Sequence, residues 1–415
     1  MTTPPVRLGI IGLGAMGARV LQIATTHPEY TVVAAADLDA SAVSRYAEQH
    51  PSIHFTTTPE EVIAADVDAV YIATPPASHA DLTEAAFTAG HAVFCEKPLS
   101  ISLADGQRML DAAAASGRAA AVNFALSDRR ATLYLEELLH PDRQGQAGEV
   151  RRSREAGTAG PAGGAGPAGE PWQGGETEGA GRSGGPEAGG PVGVAGRAGA
   201  AELGSATAAG SAATGAGRAT SSAAGGASSS ARVEDDSRIG GLGVGEVLAV
   251  EIRLAFPQWP RAFQVGAGWL GERAQGGFIR EVFSHFAYLT DRLIGPLTPV
   301  ELHLEHRGPG SEVAAFGLYR AGDVPVQVSG VVAGPTTYEW IVRGSERSYL
   351  LRDWQQLFVA EGKDWVPVPL PGERGGEETR LSLFAEAVRG HHPANLADFA
   401  TAYRVQQAVE AWHTA

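Results

Sequence analysis

Of the 32 basic residues in this 415-residue chain only two are lysines, Lys97 and Lys363. Arginine stays protonated in proteins, whereas lysine can release its proton when partly buried or beside another cation. A lysine kept where the rest of the chain uses arginine is a candidate for proton transfer. Lys97 stands in Glu96-Lys97-Pro98, directly after an apolar run. A second pattern is Gly12-Leu13-Gly14-Ala15-Met16-Gly17, which follows an apolar run and opens a helical stretch. That is the context in which GxGxxG holds a dinucleotide. The first glycine permits a tight turn, the second lets the backbone approach a pyrophosphate, and the third lets helix and strand pack closely. Ala15 and Met16 begin the helix, whose free N–H groups and positive dipole end would face the phosphates. Asp37, twenty residues after Gly17 at the end of VVAAADLD, is where a carboxylate would accept from the adenosine ribose hydroxyls. It would repel a 2′-phosphate, so NAD is expected and NADP disfavoured.

These residues need a frame. Apolar runs at 6–11, 31–36, 69–73, 92–95 and 119–124 alternate with helical stretches near 15–26, 40–49, 59–65, 77–89 and 102–116. Continuous apolar strands between helices predict a parallel sheet covered on both faces, a doubly wound α/β domain over residues 1–124. Residues 151–240 are dominated by Gly, Ala and Ser with almost no large apolar side chains. Such a segment buries too little surface to offset its ordering entropy, and a disordered insertion is expected. Gly148-Glu149-Val150 and Gly245-Glu246-Val247 flank it. Only the second runs on into a strand-like alternation, LAVEIRLAF. Residues 125–150 and 241–415 then form a second α/β domain, with a helix at 128–140 and another of about four turns in GGFIREVFSHFAYLTDRLIGP. Strand-like runs from VELHLEHR to QLFVAEG follow. Turns at Ala321-Gly322-Asp323 and Gly344-Ser345-Glu346 suggest successive antiparallel hairpins, and helices near 377–389 and 395–413 close the chain.

Bulk properties exclude several classes. A net charge of −15 argues against a nucleic-acid or anionic-membrane partner. One cysteine, Cys95, rules out an internal disulfide framework. No run of 18 apolar residues predicts a membrane span. The N-terminus lacks a basic n-region, so a cytoplasmic protein is the expectation. No metal site is expected, because His391-His392 lacks partners at zinc-like spacing.

With the glycine fingerprint, Ala73-Thr74-Pro75-Pro76, Ser78-His79 and Glu96-Lys97-Pro98, the chain resembles the Gfo/Idh/MocA oxidoreductases over its whole length except the insertion. The resemblance implies a Rossmann domain followed by an α/β domain with a large open, mostly antiparallel sheet. It places Lys97 at a strand end close to nicotinamide and substrate, as donor to the reacting hydroxyl or carbonyl. Thr74, Pro75, His79 and Glu96 would line the cofactor cleft. Many relatives carry a GG…DxGxH helix, which Gly276 to His285 matches with Glu281 at the acid position and Phe283 at the glycine. Glu281 and His285 are four apart and share a helix face. His285 is the candidate base for the substrate hydroxyl, and Glu281 would orient it or bind substrate. Arg280, Trp259 and Arg261 are counted with the substrate contacts. Trp259, Trp269 and Arg261 in FPQWPRAFQVGAGWL could clamp a polar ligand or simply pack. An arginine common just after the strand at 119–124 is displaced here to Arg129.

The expected activity is hydride transfer between NAD and a CH–OH or C=O carbon of a small polar substrate, a sugar or cyclitol derivative. The alternatives are a redox-assisted elimination or glycoside cleavage with tightly held NAD, and an NAD-sensing regulator without turnover. Lys97 argues against the regulator. A homo-oligomer through the C-terminal sheet is also expected.

Overall fold

The computed structural model describes residues 3–141 and 243–414, apart from residues 265, 371 and 373. The segment expected to be a disordered insertion lies outside the described residues.

The N-terminal half alternates as its apolar pattern requires: β1 (Val6–Ile11), α1 (Ala15–Ala24), β2 (Tyr30–Ala36), α2 (Ala40–Gln49), β3 (His54–Thr56), α3 (Pro59–Ala64), β4 (Ala69–Ile72), α4 (His79–Thr88), β5 (Ala92–Glu96), α5 (Leu103–Ser116) and β6 (Ala120–Asn123). Every residue of β4 and β5 is buried, because helices cover both faces of a parallel sheet. The sheet order is β15-β6-β5-β4-β1-β2-β3. β15 (Ala397–Asp398) is a late, two-residue antiparallel addition to β6. The order reverses between β1 and β4, the position at which open α/β sheets bind ligands beyond their strand ends.

After α6 (Arg130–Leu139) and β7 (Val247–Ala255), a π-helical turn (Ile279–Phe283) leads into α7 (Ser284–Leu293). Then come β8 (Leu297–His306), β9 (Glu312–Ala321), β10 (Val324–Val331), β11 (Thr337–Gly344), β12 (Ser348–Arg352), β13 (Gln356–Glu361) and β14 (Asp364–Pro367). α8 (Glu377–Val388) and α9 (Phe399–Thr414) close the chain. The eight-stranded sheet runs β14-β13-β12-β11-β7-β10-β9-β8. The hairpins expected at Gly322 and Ser345 form, joining β9 to β10 and β11 to β12. β10 and β11 do not continue that series, because β7 lies between them, parallel to β10 and antiparallel to β11.

One face of this sheet is closed. Trp412 of α9 packs so tightly over β9 that a Cβ at Gly317 would lie 2.5 Å from its ring. The opposite face leaves Phe316 and Leu318 exposed, at 49% and 37%. α8 returns to the first sheet: Phe384 stacks on Phe94 of β5 at 4.8 Å, and the Tyr30 hydroxyl donates to Leu381 O at 2.7 Å. No helix among the described residues is long and apolar enough to cross a membrane.

Candidate active site

At the end of β1 the chain turns through Gly12 at φ +95°, where a Cβ would sit 2.5 Å from Ala73 O. A Cβ at Gly17 would lie 1.8 Å from Gly12 O. Both positions exclude side chains by backbone contact. Gly14 differs, because a Cβ there would meet nothing within 4 Å. The space beside it is open, as a group approaching the backbone requires. No side chain caps the start of α1, so its first N–H groups remain for an anion. Asp37 leaves β2 beside this loop: its Oδ2 accepts from Leu13 N–H at 2.6 Å and its Oδ1 from Asp39 N–H at 2.9 Å. Each oxygen keeps a second lone pair for a ribose hydroxyl. These groups fit a nicotinamide dinucleotide.

The loops after β4 and β5 are fastened together by His79. Its Nε2 faces Thr74 O at 2.9 Å and its Nδ1 faces Pro98 O at 3.0 Å. Burial pulls its pKa below the usual value against these carbonyls. Thr74 Oγ1 accepts from Ser78 at 2.7 Å, and Pro75 begins the adjoining turn. Glu96 does not line the cleft as expected. In β5 it shares a face with Phe94, so its carboxylate turns inward to accept from the Tyr71 hydroxyl and from Asn123 Nδ2 at 2.7 Å. Burial pushes its pKa up.

Lys97, next in sequence, crosses to the C-terminal half. Its Nζ donates to Glu281 O at 2.9 Å and pairs with the Glu281 carboxylate. Only 10% of the Lys97 side chain and 15% of the Glu281 side chain is exposed. Glu281 lies in the π-helical turn, an irregularity common at functional sites. Its Oε1 accepts from Arg261 Nη2 and Gln264 Nε2, both at 3.0 Å. Arg261 is itself held over the Phe263 and Trp259 rings, 4.7 and 5.5 Å from their centroids. Trp259 packs against Phe256 and Phe278 and donates from Nε1 to Leu270 O at 2.9 Å, so it fixes the loop that carries Arg261.

His285 does not bond Glu281. Ala125 N–H donates to its Nδ1 at 3.3 Å, and its ring stands edge-on between Phe124 at 5.8 Å and Trp354 at 5.1 Å. Burial first, then the charges of Lys97, Arg380, Arg261 and Arg129, hold its pKa well below the usual value. A neutral imidazole that accepts at Nδ1 carries its proton on Nε2. Arg280 does not join this group. Its buried guanidinium must be paired, and it bonds both Glu410 oxygens at 2.7 Å and the carbonyls of Arg273 and Gly276. It ties the π-helical turn to α9.

No local pattern marks Trp354 or Arg380 in advance. Trp354 reaches His285 through a turn in which Asp353 and Trp354 take φ of +48° and +67°, a conformation that costs non-glycine residues about 1 kcal/mol each. Arg380 comes from α8 to Asn123 Oδ1 at 2.6 Å. Among the described residues no cluster of three metal-binding side chains occurs.

Residues 6–124 match a family model described as an oxidoreductase family with an NAD-binding Rossmann fold. Inositol 2-dehydrogenase 2 of Paenarthrobacter aurescens (strain TC1) is 40% identical over 110 residues, 26% of this chain and 32% of that protein. The match thus spans about a third of that relative's length. Solved structures of the same fold include a 3-ketoreductase from Actinomadura kijaniata with NADP and TDP-benzene (18% identity, TM-score 0.63, covering 99% of this chain and 97% of that one). Another is the WlbA dehydrogenase of Bordetella pertussis with NADH and UDP-GlcNAcA (15% identity, TM-score 0.62, covering 99% and 96%).

Proposed function

We propose that this chain, whose residues 6–124 match the NAD-binding Rossmann-fold model of the Gfo/Idh/MocA oxidoreductases, is a nicotinamide-dependent dehydrogenase or reductase acting on a sugar or cyclitol. The observation that carries this reading is the junction of Lys97 with Glu281, a cation at a strand end of the cofactor half held by an acid of the C-terminal half. When bound, the cofactor supplies the hydride acceptor or donor.

The chain's own residues supply orientation and proton handling. Lys97 Nζ donates a proton to the substrate oxygen during reduction and takes it back during oxidation. Glu281 holds Nζ in place and balances its charge, and Arg261 and Gln264 fix the Glu281 rotamer. His285, marked by the sequence as a base, serves instead as a hydrogen-bond donor from Nε2, because Ala125 occupies Nδ1. Trp354 and Phe124 keep water from the imidazole. Asp37 favours NAD over NADP. The exposed Phe316 and Leu318 of β9 support self-association through the C-terminal sheet.

Inositol 2-dehydrogenase 2, the partial relative, and the 3-ketoreductase and WlbA dehydrogenase that share the fold support a CH–OH or C=O substrate. The test is to incubate purified protein with NAD⁺ and a panel of sugars, uronates, sugar phosphates and cyclitols and to follow NADH absorbance. Turnover without net NADH, or no turnover despite tight NAD binding, would overturn the proposal.

A further inference from the structure

We propose that the substrate of this site carries a carboxylate or phosphate group and that Arg129 is the residue that binds it; the inference rests on the oxidoreductase reading above. Arg129 lies just beyond β6, in the wall that holds His285. Its Nε donates to Ala125 O and its Nη1 to Gln355 Oε1, both at 3.3 Å. Both acceptors are neutral and both bonds are long. Among the described residues Arg129 has no carboxylate partner, and its Nη2 donates to nothing. Ala125 is the residue whose N–H contacts His285, and Gln355 follows Trp354, which stacks edge-on against the same imidazole.

The surroundings are richer in cations than in anions. Arg380 Nη1 reaches the same Ala125 carbonyl at 3.5 Å. Its own carboxylate, Glu377 at 2.7 Å, is shared with Arg19 at 2.8 Å. Two guanidinium groups therefore share one carboxylate, whose charge Arg129 feels without bonding it. Asp128, adjacent in sequence, is taken by Arg374 at 2.8 Å. A chain with a net charge of −15 has concentrated positive charge beside its candidate catalytic groups. Burial, and after it the charge of Arg380, lower the Arg129 pKa to about 10. A partly buried guanidinium without a counter-ion is costly, and an incoming anion removes that cost. The planar fork of arginine matches carboxylate and phosphate oxygens in pairs.

The position points to the substrate rather than to the cofactor's pyrophosphate. The glycine loop that would hold the pyrophosphate follows β1. β6 is separated from β1 by β5 and β4, roughly 14 Å at the usual spacing between strands. Lys97, at the end of β5, lies between the two positions. A substrate whose reacting carbon faces Lys97 would thus extend its anionic end toward Arg129.

The experiment uses the full chain loaded with NADH. Calorimetric titrations with D-glucuronate, D-glucose 6-phosphate, D-glucose and myo-inositol separate a carboxylate ligand, a phosphate ligand and neutral ones. At least one of the two anions is expected to bind about ten-fold more tightly than glucose or more, and more weakly as salt is raised. Arg129→Gln is expected to abolish this preference while the NAD dissociation constant stays within about two-fold. Arg129→Lys, which keeps the charge, is expected to retain part of it and guards against a merely misfolded glutamine variant. The inference is overturned if neutral sugars bind as tightly as the anions, if neither anion binds, or if Arg129→Gln keeps the preference. A parallel loss of NAD affinity in Arg129→Gln would assign the residue to the cofactor and overturn it as well. Wild-type protein that oxidises a neutral sugar without preferring an anion would sink this inference alone. Wild-type protein that does not bind NAD(H) would sink the oxidoreductase reading itself.

Discussion

The ends of β1 and β5 belong to one sheet, yet they build their halves of the cleft from different material. At the end of β1 the surface is backbone: Gly12 and Gly17 are forced by carbonyl contacts, Gly14 faces open space, and Asp37 is the one side chain of consequence. At the end of β5 the surface is side chains. Lys97 meets Glu281 from a turn 184 residues away in sequence, Arg261 from another loop and Arg380 from near the C-terminus. A backbone site needs a short contiguous motif. A side-chain site needs the whole chain to be folded.

Three experiments break or sharpen this contrast. The largest effect is expected at Lys97. Lys97→Arg keeps the charge but cannot release its proton at working pH, so kcat should fall by about 10²–10⁴ with NAD affinity unchanged, read by steady-state kinetics and calorimetry. Turnover within a few-fold of wild type would make Lys97 an electrostatic support and remove the chemical reason for its being a lysine. A smaller effect is expected at Asp37. Wild type should bind NAD more tightly than NADP, and Asp37→Ser should narrow that gap by about ten-fold, the scale of one relieved charge contact. Equal binding of the two cofactors by wild type would refute the ribose role. The smallest effect is expected from the segment outside the described residues. Gly243 lies against Leu138, with its Cβ position 3.5 Å from Leu138 O, so the described chain resumes close to where it pauses. Replacing 142–242 by a Gly-Ser linker of about ten residues should leave the melting temperature within about 3 °C and NAD affinity within about two-fold, since loop closure depends only weakly on length. A large loss of either would show that this segment supports the site.

The same contrast explains what could be read in advance. β1, β2, β4, β5 and β6 were legible because buried parallel strands are continuous apolar runs. β3, with three residues, His54 to Thr56, is too short to show a period. β7 between β10 and β11 was not legible either, since hairpin signals describe neighbours in sequence and a parallel insertion leaves no local mark. Among site residues the glycine loop, Asp37 and Lys97 carried local signatures. Arg280 and Glu96 matched their motif positions, yet the structure pairs Arg280 with Glu410 and turns Glu96 toward Tyr71 and Asn123. Residue type named the chemistry there, while the direction of the side chain was set by partners more than twenty residues away.

The return of α8 and β15 to the first sheet has a temporal consequence. Leu381, Phe384 and Ala385 share one apolar cluster with Val6, Leu8, Tyr30 and Phe94, and Ala397 pairs with Val122. A ribosome delivers residue 124 long before residue 398, an interval of roughly 15–55 s at 5–20 residues per second. Throughout it the nascent cofactor half has an uncovered apolar face and an unpaired sheet edge. Its last structural layer arrives only with α8 and β15, so the apolar face of the cofactor half stays uncovered until residue 398 has been made, and the intervening period is when the nascent chain most needs protection from wrong partners.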